Sequence, residues 1–294
     1  MSFDLILTAR SRRAEALRFF DGLAEQRGTH QMRVLFADQG LRLTALELAS
    51  VRQRDGITLQ ILQIEPCALS FARNNAINMG LSASIIAFPD DDCWYAPTVL
   101  LSVQKIFDEQ PALQCVCTNV FDPDKNLTYG GRPVGIRLPI TFSNIFSLPI
   151  SVGIFIRRDA FELVGAQFDE SLGAGTFLGS GEETELISRL LASGARILYA
   201  GDISVFHPVP DYEIRDAEKF FSYGIGYGFL AVTFIKRGHY IVAVNWLNML
   251  ARSLIGSLLH LFEERKRAVY WRRFVGIVNG SKLALRQSAQ QAKL

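Results

Sequence analysis

Residues 83–94 read ASIIAFPDDDCW, an apolar run that leads into three consecutive aspartates. Residues 83–88 have the length and composition of a fully buried strand. On local pattern alone, an Asp-rich turn is more often a solvated loop. Carboxylates gathered at the end of a strand repel one another, however, and a bound cation commonly offsets that repulsion. The position of this turn after the fourth strand of the chain favours a binding site.

The segments before residue 83 predict alternating strands and helices. Strand-like runs lie at residues 3–9, 32–37 and 57–64. Residues 41–54 look helical, and other helical patterns carry apolar residues at three- or four-residue steps. This alternation is typical of an α/β fold with a mostly parallel sheet flanked by helices. The helical positions outside 41–54 are Ala14, Leu17, Phe20, Leu23, Ala72, Asn75 and Met79.

Ligands bind beyond the carboxyl ends of the strands in such sheets. The polar residues at these ends are Thr8 and Arg10, Asp38, and the triplet at 90–92. We therefore expect these groups to converge on one crevice.

The later part of the chain predicts a loop, further strands and a helical tail. Residues 120–150 are rich in Pro, Gly and Asn and predict a long loop over the crevice. Strands are expected at 151–156, 197–199 and 204–206, and a helix at 182–192. From about residue 216 the pattern is helical, which gives a catalytic domain at 1–213 and a helical appendage at 214–294.

Composition excludes several classes of protein. Of the 294 residues, 49% are hydrophobic and 20% charged, and the formal net charge is +2, which argues against a dedicated nucleic-acid binder. Cys67, Cys93, Cys115 and Cys117 lack metal-ligand spacing, and the alternating pair Cys115 and Cys117 predicts one face of a buried strand. The N-terminus does not resemble a signal peptide, so we expect a reduced, cytoplasmic protein.

Residues 86–94 resemble the Asp-x-Asp segment of family 2 glycosyltransferases, which have the GT-A fold. The resemblance extends over about residues 3–210, although the first strand ends in Thr8-Ala9-Arg10-Ser11 instead of the family's Pro-Thr-Tyr-Asn. It implies that a nucleotide-diphosphate sugar is the donor and that Mn²⁺ or Mg²⁺ is the cofactor. The implied donor-binding residues are Thr8, Arg10, Asp38, Arg73, Asp90 and Asp91, and the implied metal ligands are Asp92 and His207.

The pair Glu182 and Glu183 follows the glycine-rich stretch Gly179-Ser180-Gly181. This segment is similar to the family's Glu-Asp motif, whose second acid is the general base and maps onto Glu183, with Glu182 as a substitute. The alternative is a capping box, because Ser180 and Glu183 have the Ser-x-x-Glu spacing. The ordered match to the family favours catalysis.

His207 ends a predicted strand and is followed by Pro208. A lone histidine is usually an ordinary core or surface residue. The resemblance implies instead that His207 completes the metal site with Asp92.

The favoured function is an inverting glycosyltransferase that moves a sugar, from UDP by preference, to a glycan or lipid-linked acceptor in surface polysaccharide synthesis. A nucleotidyltransferase is the enzymatic alternative, but it would need a glycine-rich loop after the first strand, and residues 8–13 contain no glycine. A non-catalytic, membrane-anchored scaffold is the third hypothesis, although the metal aspartate and the base are both present.

The tail predicts membrane contact. Residues 241–262 are apolar around most of a helix, with a polar stripe, and basic residues flank them. This composition fits an interfacial helix on anionic lipid at the inner face of the cell membrane. This apolar stretch is just long enough to span a membrane, but Arg252 near its centre disfavours a transmembrane helix. Packing on the catalytic domain or in a homodimer is the alternative.

Residues 223–228 contain alternating glycines but lack the preceding strand of a dinucleotide-binding motif.

Overall fold

The protein is described by a computed structural model that covers residues 1–28, 31–209 and 216–291, with the backbone alone at 288–291. These residues form two compact units. The first comprises Met1–Thr141, Ser147–Phe168 and Leu186–Val209, and the second comprises Phe142–Phe146, Asp169–Glu185 and the described part of Pro210–Leu294. The predicted boundary between residues 213 and 214 lies outside the described residues.

One half of the sheet in the first unit is parallel. Strands β1 (Ser2–Ala9), β2 (Gln31–Asp38), β3 (Ile57–Gln63) and β4 (Ile85–Ala87) lie in the order β3-β2-β1-β4. Helices cover both faces of a sheet of this type, which is why β1 and β4 are nearly continuous apolar runs. Strand β3 lies at the edge and alternates between buried and exposed side chains.

The other half of the sheet mixes strand directions. The order continues from β4 through β9 (Ile154–Arg157), β6 (Cys115–Asp122) and β10 (Ile197–Phe206) to β5 (Trp94–Tyr95). Strand β9 is antiparallel to both β4 and β6, whereas β10 is parallel to β6. The predicted mostly parallel α/β sheet is thus confirmed. Two short strands, β7 (Leu127–Thr128) and β8 (Arg137–Pro139), pair with β6 and β10.

Six helices, including short ones, connect these strands in the described residues. They are α1 (Arg13–Ala24), α2 (Ala49–Arg52), α3 (Leu69–Ile77), α4 (Val99–Glu109), α5 (Arg158–Leu163) and α6 (Glu182–Ala192). The expected helix over residues 41–54 is wrong, because only α2 is helical there. The carboxylate of Asp38 instead accepts the backbone N–H groups of residues 40–42, which holds them in a turn.

A buried ion pair fixes the approach to β4. Asp4 is fully buried in β1, and its two oxygens accept hydrogen bonds from Nε and Nη2 of Arg33, both at 2.8 Å. Asp4 also accepts the backbone N–H groups of Ser82 and Ala83, at 2.7 and 3.0 Å. These bonds satisfy a buried carboxylate and tie the chain that enters β4 to β1.

The second unit contains three long helices, α7 (Asp216–Lys236), α8 (Val242–Leu259) and α9 (Glu264–Gln291). The alternating glycines of α7 permit close packing against α9. A Cβ atom on Gly228 would lie 2.1 Å from the carbonyl oxygen of Ile277, and one on Gly280 would lie 1.9 Å from that of Ile225. Small residues at such spacing let two helix backbones approach closely. The close packing of α7 against α9 therefore explains why position 228, within the glycine-containing stretch 223–228, is a glycine.

We predict that Gly228→Val destabilises the protein by about 2–3 kcal/mol, because α7 and α9 would have to separate to admit the added atoms. Ala251→Val, on an exposed position of α8, is the control and should change stability by less than about 1 kcal/mol, the cost of valine in a helix. Urea unfolding followed by circular dichroism measures both. Equal stability of Gly228→Val and the wild type would contradict the close packing of α7 against α9.

Candidate functional site

The aspartate triplet lies beside the end of β1. Asp90 forms an isolated parallel bridge with Thr8, the penultimate residue of that strand. Arg73 of α3 is fully buried, and its Nη2 donates to Asp90 Oδ1 at 2.7 Å and to the Ser151 hydroxyl at 2.9 Å. A buried guanidinium therefore fixes one carboxylate at the edge of the crevice.

His207 meets the triplet from the end of β10. Its Nε2 lies 3.1 Å from Asp92 Oδ1. Its backbone N–H donates to the carbonyl oxygen of Phe121, the neighbouring position on β6, at 3.0 Å. The Nδ1 atom lies 2.7 Å from the carbonyl oxygen of Pro208. With Nδ1–H donated to Pro208, a protonated Nε2 donates to Asp92 Oδ1. Loss of the Nε2 proton frees that nitrogen's lone pair for a cation.

Asp122 secures the segment that carries His207, and the sequence reasoning missed it. It is buried at the end of β6, and its Oδ2 accepts the backbone N–H of Val209 at 2.7 Å. Its Oδ1 accepts the N–H groups of Asp124 and Lys125. Burial on its own would raise the pKa of Asp122, but these backbone donors bring it below the usual value. Its place at the end of a buried strand was the available signal, the same one that singled out Asp38.

Arg12 is the second residue that the sequence reasoning missed. Its Nη1 contacts Asp91 Oδ1 at 3.2 Å and also pairs with Asp92 Oδ2. The Arg12 side chain is 51% exposed, whereas those of Asp91 and Asp92 are 14% and 15% exposed. A solvent-accessible cation thus covers two largely buried carboxylates.

The electrostatics of the triplet favour positive charge. Burial raises the pKa of Asp91 to about 6; Arg12 opposes that rise, and the charges of Asp92 and Asp90 add to it. Burial alone would also raise the pKa of Asp92, but the hydrogen bond and charge of His207, with the charge of Arg12, hold it below its usual value. Burial would lower the pKa of His207, yet the Asp92 hydrogen bond and charge raise it. The site therefore stabilises cations next to Asp92.

The donor atoms at this site fit a divalent cation. One oxygen from each of Asp90 and Asp92 and one nitrogen of His207 all lie within 4.8 Å of one another. Two carboxylates and an imidazole are suitable ligands for Mn²⁺, and carboxylates suit Mg²⁺. Asp92 and His207 are the two ligands that the resemblance implied, and Asp90 lies within the same group.

The remaining donor-binding candidates lie at the ends of β1 and β2. Arg10 is exposed and its backbone N–H bonds to Asp91. Asp38 is fully buried next to Ala9 in the register of the sheet. In addition to the turn it holds, Asp38 accepts the side-chain amide of Gln63 at 2.9 Å. Its carboxylate thus organises the turn after β2, and a contact with the nucleotide base stays a prediction.

The paired glutamates begin α6, and the second unit contains them. Glu182 is buried and Glu183 is partly exposed. The Ser180 hydroxyl donates to the carbonyl oxygen of Tyr223 in α7 at 3.2 Å, and the carbonyl of Gly181 accepts the N–H of Glu185. Gly181 is therefore the residue that caps the helix, and Ser180 anchors the approach to α7 instead of forming the capping box.

A glycine of α7 makes room for this approach. A Cβ atom on Gly226 would lie 2.3 Å from the Ser180 carbonyl oxygen and 2.7 Å from that of Leu178. Gly179 and Gly181 have φ angles of +72° and +97°, which side chains disfavour. The backbone conformation before the glutamates therefore requires glycine at positions 179 and 181, and this conformation sets the direction in which α6 begins.

Neither a protein-family model nor a curated protein sequence matches the chain. Solved structures do match it. S. aureus TarS 1–349 is 16% identical with a TM-score of 0.56, over 99% of this chain and 92% of that chain. Against a longer S. aureus TarS structure, the match spans only 40% of that chain. The mannosyltransferase PcManGT from Pyrobaculum calidifontis, in complex with GDP-Man and Mn²⁺, is 14% identical with a TM-score of 0.62, over 95% and 86% of the two chains.

The chain has the same fold as these glycosyltransferase structures. The likeness spans both described units in length, and it agrees with the GT-A fold that the sequence resemblance implied. At these identities the likeness establishes the fold, and residue roles in this glycosyltransferase fold rest on its own geometry.

We predict that Arg12→Gln binds Mn²⁺ about threefold more tightly than the wild type. An exposed ion pair of this kind contributes roughly 0.5–1 kcal/mol, and the cation has to displace it from Asp92. Arg13→Gln is the matched control, because Arg13 pairs with Glu47 instead of the triplet. Titration of Mn²⁺ followed by electron paramagnetic resonance measures both affinities. Weaker binding by Arg12→Gln would show that Arg12 supports the cation instead of competing with it.

Proposed function

We propose that the protein is a glycosyltransferase that moves a sugar from a nucleotide-diphosphate donor to a hydroxyl acceptor, and that it depends on a divalent cation. The single observation that carries this proposal is the group of Asp90, Asp92 and His207 at the strand ends of a glycosyltransferase fold. Asp92 and His207, with Asp90 beside them, would hold a divalent cation, which would supply positive charge to offset that of the departing diphosphate.

The chain's own residues prepare the donor side. Arg73 holds Asp90 in place from a fully buried position. Asp122 and Pro208 fix the backbone and the ring of His207, so that Nε2 faces the carboxylates. Arg12 keeps Asp91 and Asp92 neutralised until a cation arrives, and its exposed guanidinium is then available to a diphosphate oxygen.

Glu183 is proposed as the general base, with Glu182 as the substitute. Transfer with inversion requires that the acceptor hydroxyl lose a proton as its oxygen attacks the anomeric carbon opposite the leaving diphosphate. Glu183 is the more exposed of the two, which favours its contact with an acceptor. The resemblance to family 2 enzymes supports the inverting course.

The donor base and the acceptor are matters for experiment. TarS 1–349 has been solved with UDP-GlcNAc, and PcManGT with GDP-Man, so the neighbours include both uridine and guanosine donors. We favour UDP, and a glycan or lipid-linked acceptor of surface polysaccharide synthesis. Such an acceptor places the protein in the cytoplasm, at the inner face of the cell membrane.

Release of nucleoside diphosphate tests the reaction without a known acceptor, since water serves as a slow one. We expect the protein with Mn²⁺ to release UDP or GDP from one member of a panel of UDP- and GDP-sugars. Glu183→Gln should lower this turnover about 100-fold or more and leave donor affinity unchanged, because a general base acts only in the transition state. Glu185→Gln, two positions beyond the pair on the same helix, is the control.

The alternatives give different results in the same assay. Loss of turnover in Glu182→Gln but not Glu183→Gln would assign the base to Glu182. Pyrophosphate release from a nucleoside triphosphate and a sugar 1-phosphate would identify a nucleotidyltransferase. No product from any donor, although the nucleotide binds, would favour the scaffold.

A further inference from the structure

Helix α8 has an inverted distribution of side chains. Its small polar residues face the interior of the second unit: Ser253 is fully buried and Ser257 is 7% exposed. The Ser253 hydroxyl accepts a hydrogen bond from Arg273 Nε of α9 at 2.9 Å, and Trp246 Nε1 donates to the Ser281 hydroxyl at 3.0 Å. The opposite side of α8 carries exposed apolar residues. We call these the outer face: Val244, Leu247, Leu254, Ile255, Leu258 and Leu259.

The apolar surface continues beyond both ends of the helix. Tyr240 and Ile241 are exposed just before α8, and Leu261 and Phe262 just after it, with Phe262 fully exposed. The eighteen residues of α8 extend for roughly 27 Å. Asn248 is an exposed polar residue on this side of α8, but the strip is otherwise predominantly apolar. An exposed apolar strip of this length marks an interaction surface instead of an ordinary solvated helix.

The charges around this strip are predominantly basic. Arg252 is exposed on its flank, and the other basic residues lie at its two ends. Only two acidic residues occur between positions 236 and 267, and both lie in the turn before α9 and at its start. The strip is therefore complementary to an anionic surface. The flanking basic residues are Lys236, Arg237, Arg265, Lys266 and Arg267, and the acidic ones are Glu263 and Glu264.

We propose that the outer face of α8 docks, in the plane of the interface, onto a membrane that contains anionic lipid. Apolar side chains enter the boundary between headgroups and acyl chains, and the basic residues meet the lipid phosphates and carboxylates. This docking is independent of the proposed transfer reaction, because none of its residues belongs to the candidate donor site.

Charge argues against a second copy of the chain as the occupant. A symmetric dimer would bring the same basic residues together twice across one interface, where like charges repel. An anionic lipid surface removes that repulsion and adds attraction.

The hydrogen bonds of α8 argue for a helix that lies on the membrane and does not cross it. By length and composition alone α8 is the one described helix that could cross, with a mean hydropathy of 1.3. Its buried side, however, is bonded to Arg273, and Arg272 and Lys282 also lie on the adjoining helix α9. A crossing orientation would carry these charges into hydrocarbon at considerable cost.

Flotation with vesicles tests this docking on the full chain. We expect the wild type to float with vesicles of phosphatidylcholine containing 30% phosphatidylserine and to bind at least tenfold less to phosphatidylcholine alone. The double variant Leu254→Asn/Leu258→Asn should lose at least nine-tenths of the binding. The control is Leu46→Asn/Leu163→Asn, which replaces two leucines that are more exposed than Leu254 and Leu258 but lie outside the second unit. This control should float like the wild type.

Two further measurements keep the outcomes distinct. Thermal unfolding and circular dichroism of the α8 variant must match the wild type, since both replaced residues are exposed. The variant Val244→Asn/Ile255→Asn repeats the test at other outer-face positions.

Sedimentation velocity without lipid then reports on self-association. A wild-type dimer that the α8 variant dissolves, together with no flotation, would assign the outer face to a second copy and overturn the proposal. Flotation that is equal for the α8 variant and the wild type would also overturn it.

Discussion

The repulsion among Asp90, Asp91 and Asp92 is the constraint on which the rest of the candidate site depends. Three adjacent carboxylates at the end of a buried strand are unfavourable unless positive groups surround them. The protein supplies three such groups from three different parts of the chain. Buried Arg73 of α3 donates to Asp90, and solvent-exposed Arg12 pairs with Asp91 and Asp92. His207, at the end of β10, contacts Asp92.

This arrangement leaves a permanent and a replaceable part. Arg73 is fully buried and shared with Ser151, so its position is part of the fold. Arg12 is half exposed and its ion pairs lie near water, where each is worth little. A divalent cation would replace Arg12 as the positive group next to Asp92, and the loss of the weak Arg12 ion pair would cost little free energy.

The sequence predicted those parts of the fold that depend on local pattern. Strands β1 and β4 are nearly continuous apolar runs, and burial on both faces produces such runs whatever the packing partners. The pair Cys115 and Cys117 does lie on one buried face of β6, with the sulfurs 4.0 Å apart. The carboxylate triplet was also visible, since it is contiguous in sequence.

Contacts distant in sequence were not predictable in the same way. Arg12 contacts residues about 80 positions away, and Asp122 accepts the backbone N–H of Val209, which is 87 positions away and follows the neighbouring strand. Residues 41–48 look helical by residue type, whereas the hydrogen bonds of Asp38 to the backbone of residues 40–42 hold the start of this segment in a turn. The glycines at 224–228 do not form a nucleotide motif. Gly224 and Gly228 pack against α9, which lies about 50 residues further along the chain, so their packing role does not follow from local pattern.

We propose that the triplet and His207 form a cation-dependent site for a nucleoside diphosphate. Calorimetric titration of UDP and of GDP, with and without Mn²⁺, tests it most directly on the wild type and on Asp92→Asn. We predict that one nucleotide binds in the presence of Mn²⁺, and that removal of Mn²⁺ or the Asp92→Asn substitution weakens binding by a factor of about 100 or more, as expected for loss of a charged ligand pair. Binding of the same strength without Mn²⁺ and in Asp92→Asn, or no binding of either nucleotide, would contradict the account.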